Sequence, residues 1–412
     1  MRAGHWHRLL PFGFSRIDQF RRRFLFIVCC PLHSLPNFRC PKPVYAGMTT
    51  SELGWLIYGL FITTISFIHL LRIDYWWVRI WDFPHTQLAA LAAIGLVGWA
   101  FFVHDLTWPQ VLVPVGLGSA MLYQAWLFWP YTPLHRRQVI RQRYPNGKAL
   151  SAQGDPNSLT LLTANVLMTN TQCPKMLTLA HKHKPDLILI LEADDNWARE
   201  LAPLKDHYPY RILYPQSNTY GMLFYSKLPF RQHELRFLVE DDIPSIHVEL
   251  VLRSGQVVNF YGVHPQPPSP TEHYRSTERD AELVLVGREA RRQTGPVLVA
   301  GDLNDVAWSH TTRLFQRLSG LLDPRVGRGL FSTFHAQYFF LRWPLDHVFV
   351  SHHFRLRTLR RLPACGSDHF PILVGLTYNP DPKRARDTPK PEGDDLKEAR
   401  EIVEKSREGY EE

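Results

Sequence analysis

The sequence predicts a membrane-spanning helical segment followed by an α/β domain, and three observations carry that prediction. Three long apolar runs, none with an internal Asp, Glu, Lys or Arg, follow one another between residues 53 and 129. Beyond residue 158, short apolar strands alternate with stretches of helical spacing. Several of those strands end on a polar residue. The clearest is Val297-Leu298-Val299-Ala300-Gly301-Asp302-Leu303-Asn304, where a glycine closes a buried run. A carboxylate and a carboxamide two residues apart then leave the strand end pointing the same way.

The 412 residues are 45% hydrophobic and 13% aromatic, ample for a core. The net charge of +9 is spread over the first forty residues, the stretch after the last apolar run, and the regions near 288–292 and 355–361. It does not line one helix face, so it suits a membrane surface as well as an anionic polymer. The five cysteines, Cys29, Cys30, Cys40, Cys173 and Cys365, are odd in number and show no metal spacing, which points to free thiols.

Taken in order, residues 1–47 form a basic extension with Arg2, Arg8, Arg16, Arg21, Arg22, Arg23, Arg39 and Lys42. Its one apolar run, Phe24 to Leu32, is too short to span a bilayer. Met48 opens a cleaner start directly before an apolar helix, and we expect translation to begin there. Residues 48–135 then form the membrane domain, with spans at Leu53–Leu71, Gln87–Val103 and Val111–Trp129. Trp76, Trp77, Trp81, Trp108, Trp126 and Trp129 sit where an interfacial aromatic belt is expected. Lys and Arg are absent from the second loop but are present after the first and third spans. With a Met48 start, the positive-inside rule places the C-terminal domain on the cytoplasmic side of the plasma (inner) membrane; with residues 1–47 present it reverses. Residues 136–157 read as a basic linker.

Residues 158–378 carry the chemistry. Ser158 to Val166 reads as a strand delivering Asn165, Thr171 to Lys184 as a helix, and Leu187 to Leu191 as a buried strand delivering Glu192. An Asn and a Glu placed alike one unit apart suit a hard cation, because Mg²⁺ takes one or two such oxygens and keeps its waters for phosphate. Further strands lie at 221–227, 247–250 and 257–265, the last closing on His264, and residues 275–292 form a charged amphipathic helix. After Asp302 and Asn304 come a strand opened by Asp346 and a turn, Gly366-Ser367-Asp368-His369-Phe370-Pro371, leading into another strand.

Asn165, Glu192, His264, Asp302 with Asn304, Asp346, and Asp368 with His369, in that order and each at a strand end, resemble the endonuclease/exonuclease/phosphatase family of deoxyribonuclease-I-like hydrolases. Gly-Asp-x-Asn and Ser-Asp-His-x-Pro are the most telling pieces, and the resemblance spans residues 158–377. It implies a four-layer α/β/β/α sandwich, here preceded by three transmembrane helices, and Mg²⁺- or Mn²⁺-dependent phosphoester hydrolysis by in-line attack of water. It further implies that Glu192 binds metal with Asn165 and Asp368 in support. By the same resemblance, Asp302 with Asn304 would orient and deprotonate the water, His369 paired to Asp346 would contact the phosphate, and His264 would lie near the leaving group. The tyrosine that abasic-site endonucleases of the family use to hold phosphate has no clear counterpart, which weighs against DNA repair.

The expected activity is therefore a membrane-anchored phosphodiesterase or phosphatase whose partners are the lipid bilayer and a phosphate ester such as a lipid phosphate. The alternatives are a tethered nuclease acting on nucleic acid and an inactive binding module. Residues 379–412, rich in Pro, Lys and Glu, are expected to form a disordered tail with at most a short solvated helix over Asp394–Arg407.

Overall fold

The computed structural model describes residues 48–103, 108–143 and 154–408; the basic extension lies outside them. The chain divides into two compact units, Met1–Leu53 and Gly54–Glu412. In the first, Thr49 and Glu52 bond reciprocally: the Thr49 amide donates to Glu52 Oε2 (2.7 Å) and the Glu52 amide to Thr49 Oγ1 (3.3 Å). This capping box starts helix α1, Thr50–Phe67, and explains why the clean opening after Met48 is a helix start.

Helices α1, α2 (His85–Phe102) and α3 (Trp108–Phe128), the first and third extended by 3₁₀ turns to Leu71 and Tyr131, are long and apolar enough to cross a membrane. They match the three expected spans to within three residues. Ile57, Phe61, Ile94, Val97, Phe101, Val115 and Leu122 stay exposed, as lipid-facing side chains do. Ile62, Leu88, Ala92, Val113 and Leu117 form the seam between the helices. At Gly98 any Cβ would stand 2.0 Å from the Trp55 ring, so a side-chain-free position lets two helices approach.

The remainder is a two-sheet sandwich. Strands β1 (Ser158–Asn165), β2 (Leu187–Leu191), β3 (Tyr210–Tyr214), β4 (Met222–Ser226), β5 (Phe230–Phe237), β6 (Pro244–Val251), β7 (Val257–Val263), β8 (Val297–Asp302), β9 (Asp346–Val350), β10 (Phe354–Arg361) and β11 (Ile372–Tyr378) form it. The six-stranded sheet has the order β10-β11-β1-β2-β4-β3, the five-stranded sheet β5-β6-β7-β8-β9. Strand alternation sends Leu161, Leu189 and Phe224 inward against Val248, Phe260, Leu298 and Val350. The opposite face, Ala164, Ile188 and Ile190, takes helix α4 (Cys173–His183) through Met176 and Leu179, and α5 (Asp195–Glu200) through Trp197. On the outer side of the second sheet, Val263 and Val299 take α6 (Thr277–Arg292) through Leu283 and Val286, and α7 (His310–Ser319) through Phe315. These are the four α/β/β/α layers expected.

Two expectations are corrected. The start of the basic linker is packed: Val139 is buried in the inter-sheet core, and the Ile140 carbonyl and Gln142 amide bond Leu356 at the open edge of β10. The described part of the C-terminal tail, to residue 408, is not disordered. Helix α8, Asp395–Glu408, buries Ala399 and Val403 against Val284, Leu314 and Leu318, and Arg317 grips Asp395 through two bonds of 2.6 and 2.9 Å. Three apolar side chains at helical spacing, Ala399, Ile402 and Val403, suffice because α6 and α7 offer a matching groove. Both described cysteines, Cys173 and Cys365, are free and buried.

Candidate active site

The strand ends deliver the eight expected residues to one end of the sandwich. Asp302 and Asp346 are register partners at the ends of β8 and β9, and His264 comes directly after Val263, the partner of Gly301. Asn165, from the other sheet, ties the two halves together. Its Nδ2 donates to Glu192 Oε1 (2.5 Å) and to Asp302 Oδ2 (3.1 Å), while its Oδ1 accepts from the Leu167 amide (3.1 Å). Asn165 presents a donor, not an acceptor, to the carboxylates and acts as a bridge that orients them.

His369 is buried and bonds Asp346 Oδ2 through Nδ1 (2.7 Å), with Nε2 3.5 Å from Asp302 Oδ2. Burial alone disfavours its charge, but Asp346, Asp302 and Asp368 outweigh burial and lift the imidazole to about 10. It is therefore a cation at neutral pH. His264 is the opposite case: burial, with the charge of His369 adding to it and Asp302 opposing, lowers it to about 4, so it is a neutral imidazole. Asn304 donates its backbone N–H to Asp302 Oδ1 (2.9 Å) and its Nδ2 to the Pro265 carbonyl (3.0 Å). Asp368 flanks His369, with Oδ1 accepting from Ser367 Oγ (3.2 Å).

The donor set fits a hard divalent cation. Glu192 is a carboxylate that burial raises to about 7, with Asp302 and Asp368 adding to the rise and the Asn165 bond and His369 opposing it. Such a group lacks positive charge, and an oxygen-preferring Mg²⁺ or Mn²⁺ held by Glu192 and Asp368 would supply it. Asp302, Asp346 and His369 also bring ligand atoms within 4.8 Å of one another. There, however, His369 Nδ1 is already bonded to Asp346 and the ring is charged, which leaves it a hydrogen-bond donor and not a ligand.

Strained backbone occurs here. Leu167, Glu192 and Asn304 have φ of +59°, +56° and +50°, left-handed values that non-glycine residues rarely adopt. Buried residues that sequence reasoning passes over hold Asn304 in place. The Arg279 Nη1 donates to the Asn304 carbonyl (2.9 Å), and its Nε and Nη2 grip Asp280 Oδ1 (3.0 and 2.8 Å). Likewise His347 Nε2 lies 2.9 Å from the Asp305 carbonyl, with Nδ1 2.6 Å from Arg325. An Arg-Asp pair in a charged helix gives no signal of this; an Asp-His opening a strand, as at Asp346-His347, gives a partial one.

Gly301, which opens the Gly-Asp-x-Asn piece, contributes backbone shape and no functional group. At φ +154° its Cβ would lie 1.8 Å from the Val263 carbonyl oxygen, a backbone atom that cannot yield. Gly301→Ala is expected to lower stability by about 2–4 kcal/mol and to displace Asp302 from His264. A fall in the melting temperature of the full chain in micelles checks it.

A charged imidazole, a neutral imidazole and several carboxylates are thus gathered at one end of the sandwich, a set suited to phosphoester hydrolysis. The model of the Endonuclease/Exonuclease/phosphatase family matches residues 162–369, half of the chain, and the chain belongs to that family. No curated protein sequence matches it. Solved structures similar to it include a humanized D. rerio TDP2 (15% identity, 54% of this chain and 99% of that one, TM-score 0.44). A mannosyl-6-phosphatase of Bacteroides thetaiotaomicron (18%, 53% and 100%, 0.42) and the human Nocturnin catalytic domain (15%, 55% and 96%, 0.44) are others. At these identities and TM-scores the likeness carries no argument about this chain.

Proposed function

We propose that the chain is a membrane-anchored, Mg²⁺- or Mn²⁺-dependent phosphoester hydrolase acting on phosphate borne by a lipid. The observation that carries this reading is that the active-site end of the sandwich is the end resting on the apolar helices. The loop after Asn304 packs on them directly: the Trp308 ring meets Phe128 edge-on (5.0 Å), Trp308 Nε1 donates to the Asp82 carbonyl (2.7 Å), and the Tyr131 hydroxyl to the Ala307 carbonyl (2.8 Å). A second loop runs from Phe334, whose ring lies 5.0 Å from that of His369, to Tyr338, Phe339 and Phe340. Those three are 50%, 78% and 56% exposed, and Gln87, at the start of α2, donates to the Phe340 carbonyl (2.6 Å). Exposed aromatics held at a helix end are what an interfacial anchor requires.

In this reading Asp302 takes the proton of the attacking water, oriented by Asn304. His369, kept charged by Asp346, donates to the phosphate oxygens as negative charge develops, and neutral His264 donates toward the leaving oxygen. Glu192 and Asp368 would hold the divalent cation, which when bound supplies further positive charge to the phosphate.

Phosphate release from vesicles containing a lipid phosphate, by the full chain with Mg²⁺, tests the proposal. Phe339→Ser with Phe340→Ser is expected to raise half-saturating lipid about tenfold or more, since burial of an aromatic ring is worth about 2 kcal/mol. Cleavage of a soluble aryl phosphate should not change. Equal loss on both substrates would remove the interfacial role.

A groove favours the nuclease reading as second choice. Arg137, Arg141 and Arg328 line it beside Phe331, and it continues past Arg360 to Arg342 and Arg361, which stack over Phe370 at 5.1 and 4.4 Å. Burial and the nearby Arg137 and Arg141 hold Arg328 down to about 10, a crowding that a polyanion would relieve. Plasmid nicking at low salt with no release from lipid phosphates would turn the assignment to nucleic acid.

A further inference from the structure

A second cluster of ligating side chains lies where α1, α2 and the active-site loop meet, and it takes no part in the hydrolytic site. His69 lies just past α1, Asp82 is in the turn between α1 and α2, and His85 is the first residue of α2. Their ligand atoms lie within 4.8 Å of one another, and the two rings stand 4.6 Å apart, edge to face. All three are buried, His85 completely. Among the described residues, His69 Nδ1 and both ring nitrogens of His85 have no hydrogen-bond partner. Three unsatisfied nitrogens are costly in a buried site, because each loses its water without replacement.

We propose that His69, Asp82 and His85 bind a divalent transition cation of the zinc class. Two imidazoles and one carboxylate are a set that zinc accepts in tetrahedral geometry with a fourth position for water, whereas Mg²⁺ prefers oxygen alone. The surroundings match such a centre. His69 Nε2 lies 2.7 Å from the Tyr123 hydroxyl, so the ring can donate there and direct the lone pair of Nδ1 into the cluster. Asp82 is shared with Arg79 at 3.6 Å, whose charge Asp280 also meets at 3.3 Å, leaving the carboxylate to the cation. The ion fastens the α1–α2 turn beneath Trp308, which bonds the Asp82 carbonyl. The site is separate from Glu192 and Asp368.

The test uses the full chain in detergent micelles, stripped with chelator and reloaded with zinc or cobalt in excess Mg²⁺, so that the oxygen-rich site is filled. One zinc per chain is expected to survive gel filtration, and cobalt to give the visible absorption of a four-coordinate ion. Both should fall about a hundredfold or more in affinity in His69→Gln and His85→Gln, and remain in Asp302→Asn. If a histidine variant fails to fold, Asp82→Asn, which keeps the side-chain shape, is expected to lose the metal in its place. Failure of the wild-type chain to retain zinc, or retention undiminished in these variants, overturns the proposal. Neither outcome depends on which ester is hydrolysed.

Discussion

Asp302→Asn is expected to lower kcat by about a thousandfold with little change in KM, because it removes the base while leaving the groups that bind phosphate. The substitution also has a cost to the fold. Asp302 accepts two hydrogen bonds on two oxygens, from Asn165 Nδ2 at 3.1 Å and from the Asn304 amide at 2.9 Å. An amide has one acceptor oxygen, so one donor is left facing an NH₂ group, at a cost of about 1–3 kcal/mol. Loss of a negative charge beside Glu192 works the other way. His369→Gln should be at least as inactive and less stable, since it strands Asp346, which is buried and bonded to His369 at 2.7 Å. Adding Asp346→Asn to His369→Gln should therefore restore stability without activity. Steady-state kinetics on a soluble aryl phosphate, alongside melting temperatures, separate the two effects; an Asp302→Asn chain with normal kcat would remove Asp302 as the base.

The residues legible in the sequence are those whose positions are dictated by strand ends. Leu187 to Leu191 is uninterrupted and wholly buried, so the next residue, Glu192, has to stand at a sheet edge. The same holds for Asp302, Asp346 and Asn165, and the two short motifs identify the set. The edge strands β5 and β10 are not legible, because one face of each meets solvent and their charged residues break the apolar pattern. Arg279 and Asp280 escape for a different reason. Helical periodicity assigns charge to the wet face, yet here both are buried and satisfied by each other and by the Asn304 carbonyl. Helix α8 likewise reads as solvated until the groove between α6 and α7 is known. The seating of Trp308 on the turn at Asp82 joins residues 226 apart, and no local pattern encodes it.

Glu192→Gln is expected to separate cation binding from folding, and the raised carboxyl sets the signs. Its ordinary value of 4.5 rises to about 7 in the cation-free fold, burial being the largest cause. The folded chain thus holds this proton more tightly than the unfolded one. Stability attributable to the group is fully present below about pH 4.5, and about 3 kcal/mol of it is lost as pH rises through about 7. A bound cation reverses this by stabilising the charged form. The wild-type chain should therefore gain melting temperature from Mg²⁺ at pH 8 but little at pH 6, with apparent affinity weakening about tenfold for each unit below pH 7. Glutamine keeps an oxygen for the Asn165 donor and carries no charge to desolvate. The variant should accordingly be more stable than wild type without metal at pH 8, by up to about 3 kcal/mol. It should also lose the Mg²⁺-induced rise and the activity together. Melting curves at pH 6 and pH 8, with chelator and with Mg²⁺, measure all of these terms. A Mg²⁺-induced rise that persists in Glu192→Gln would place the cation elsewhere.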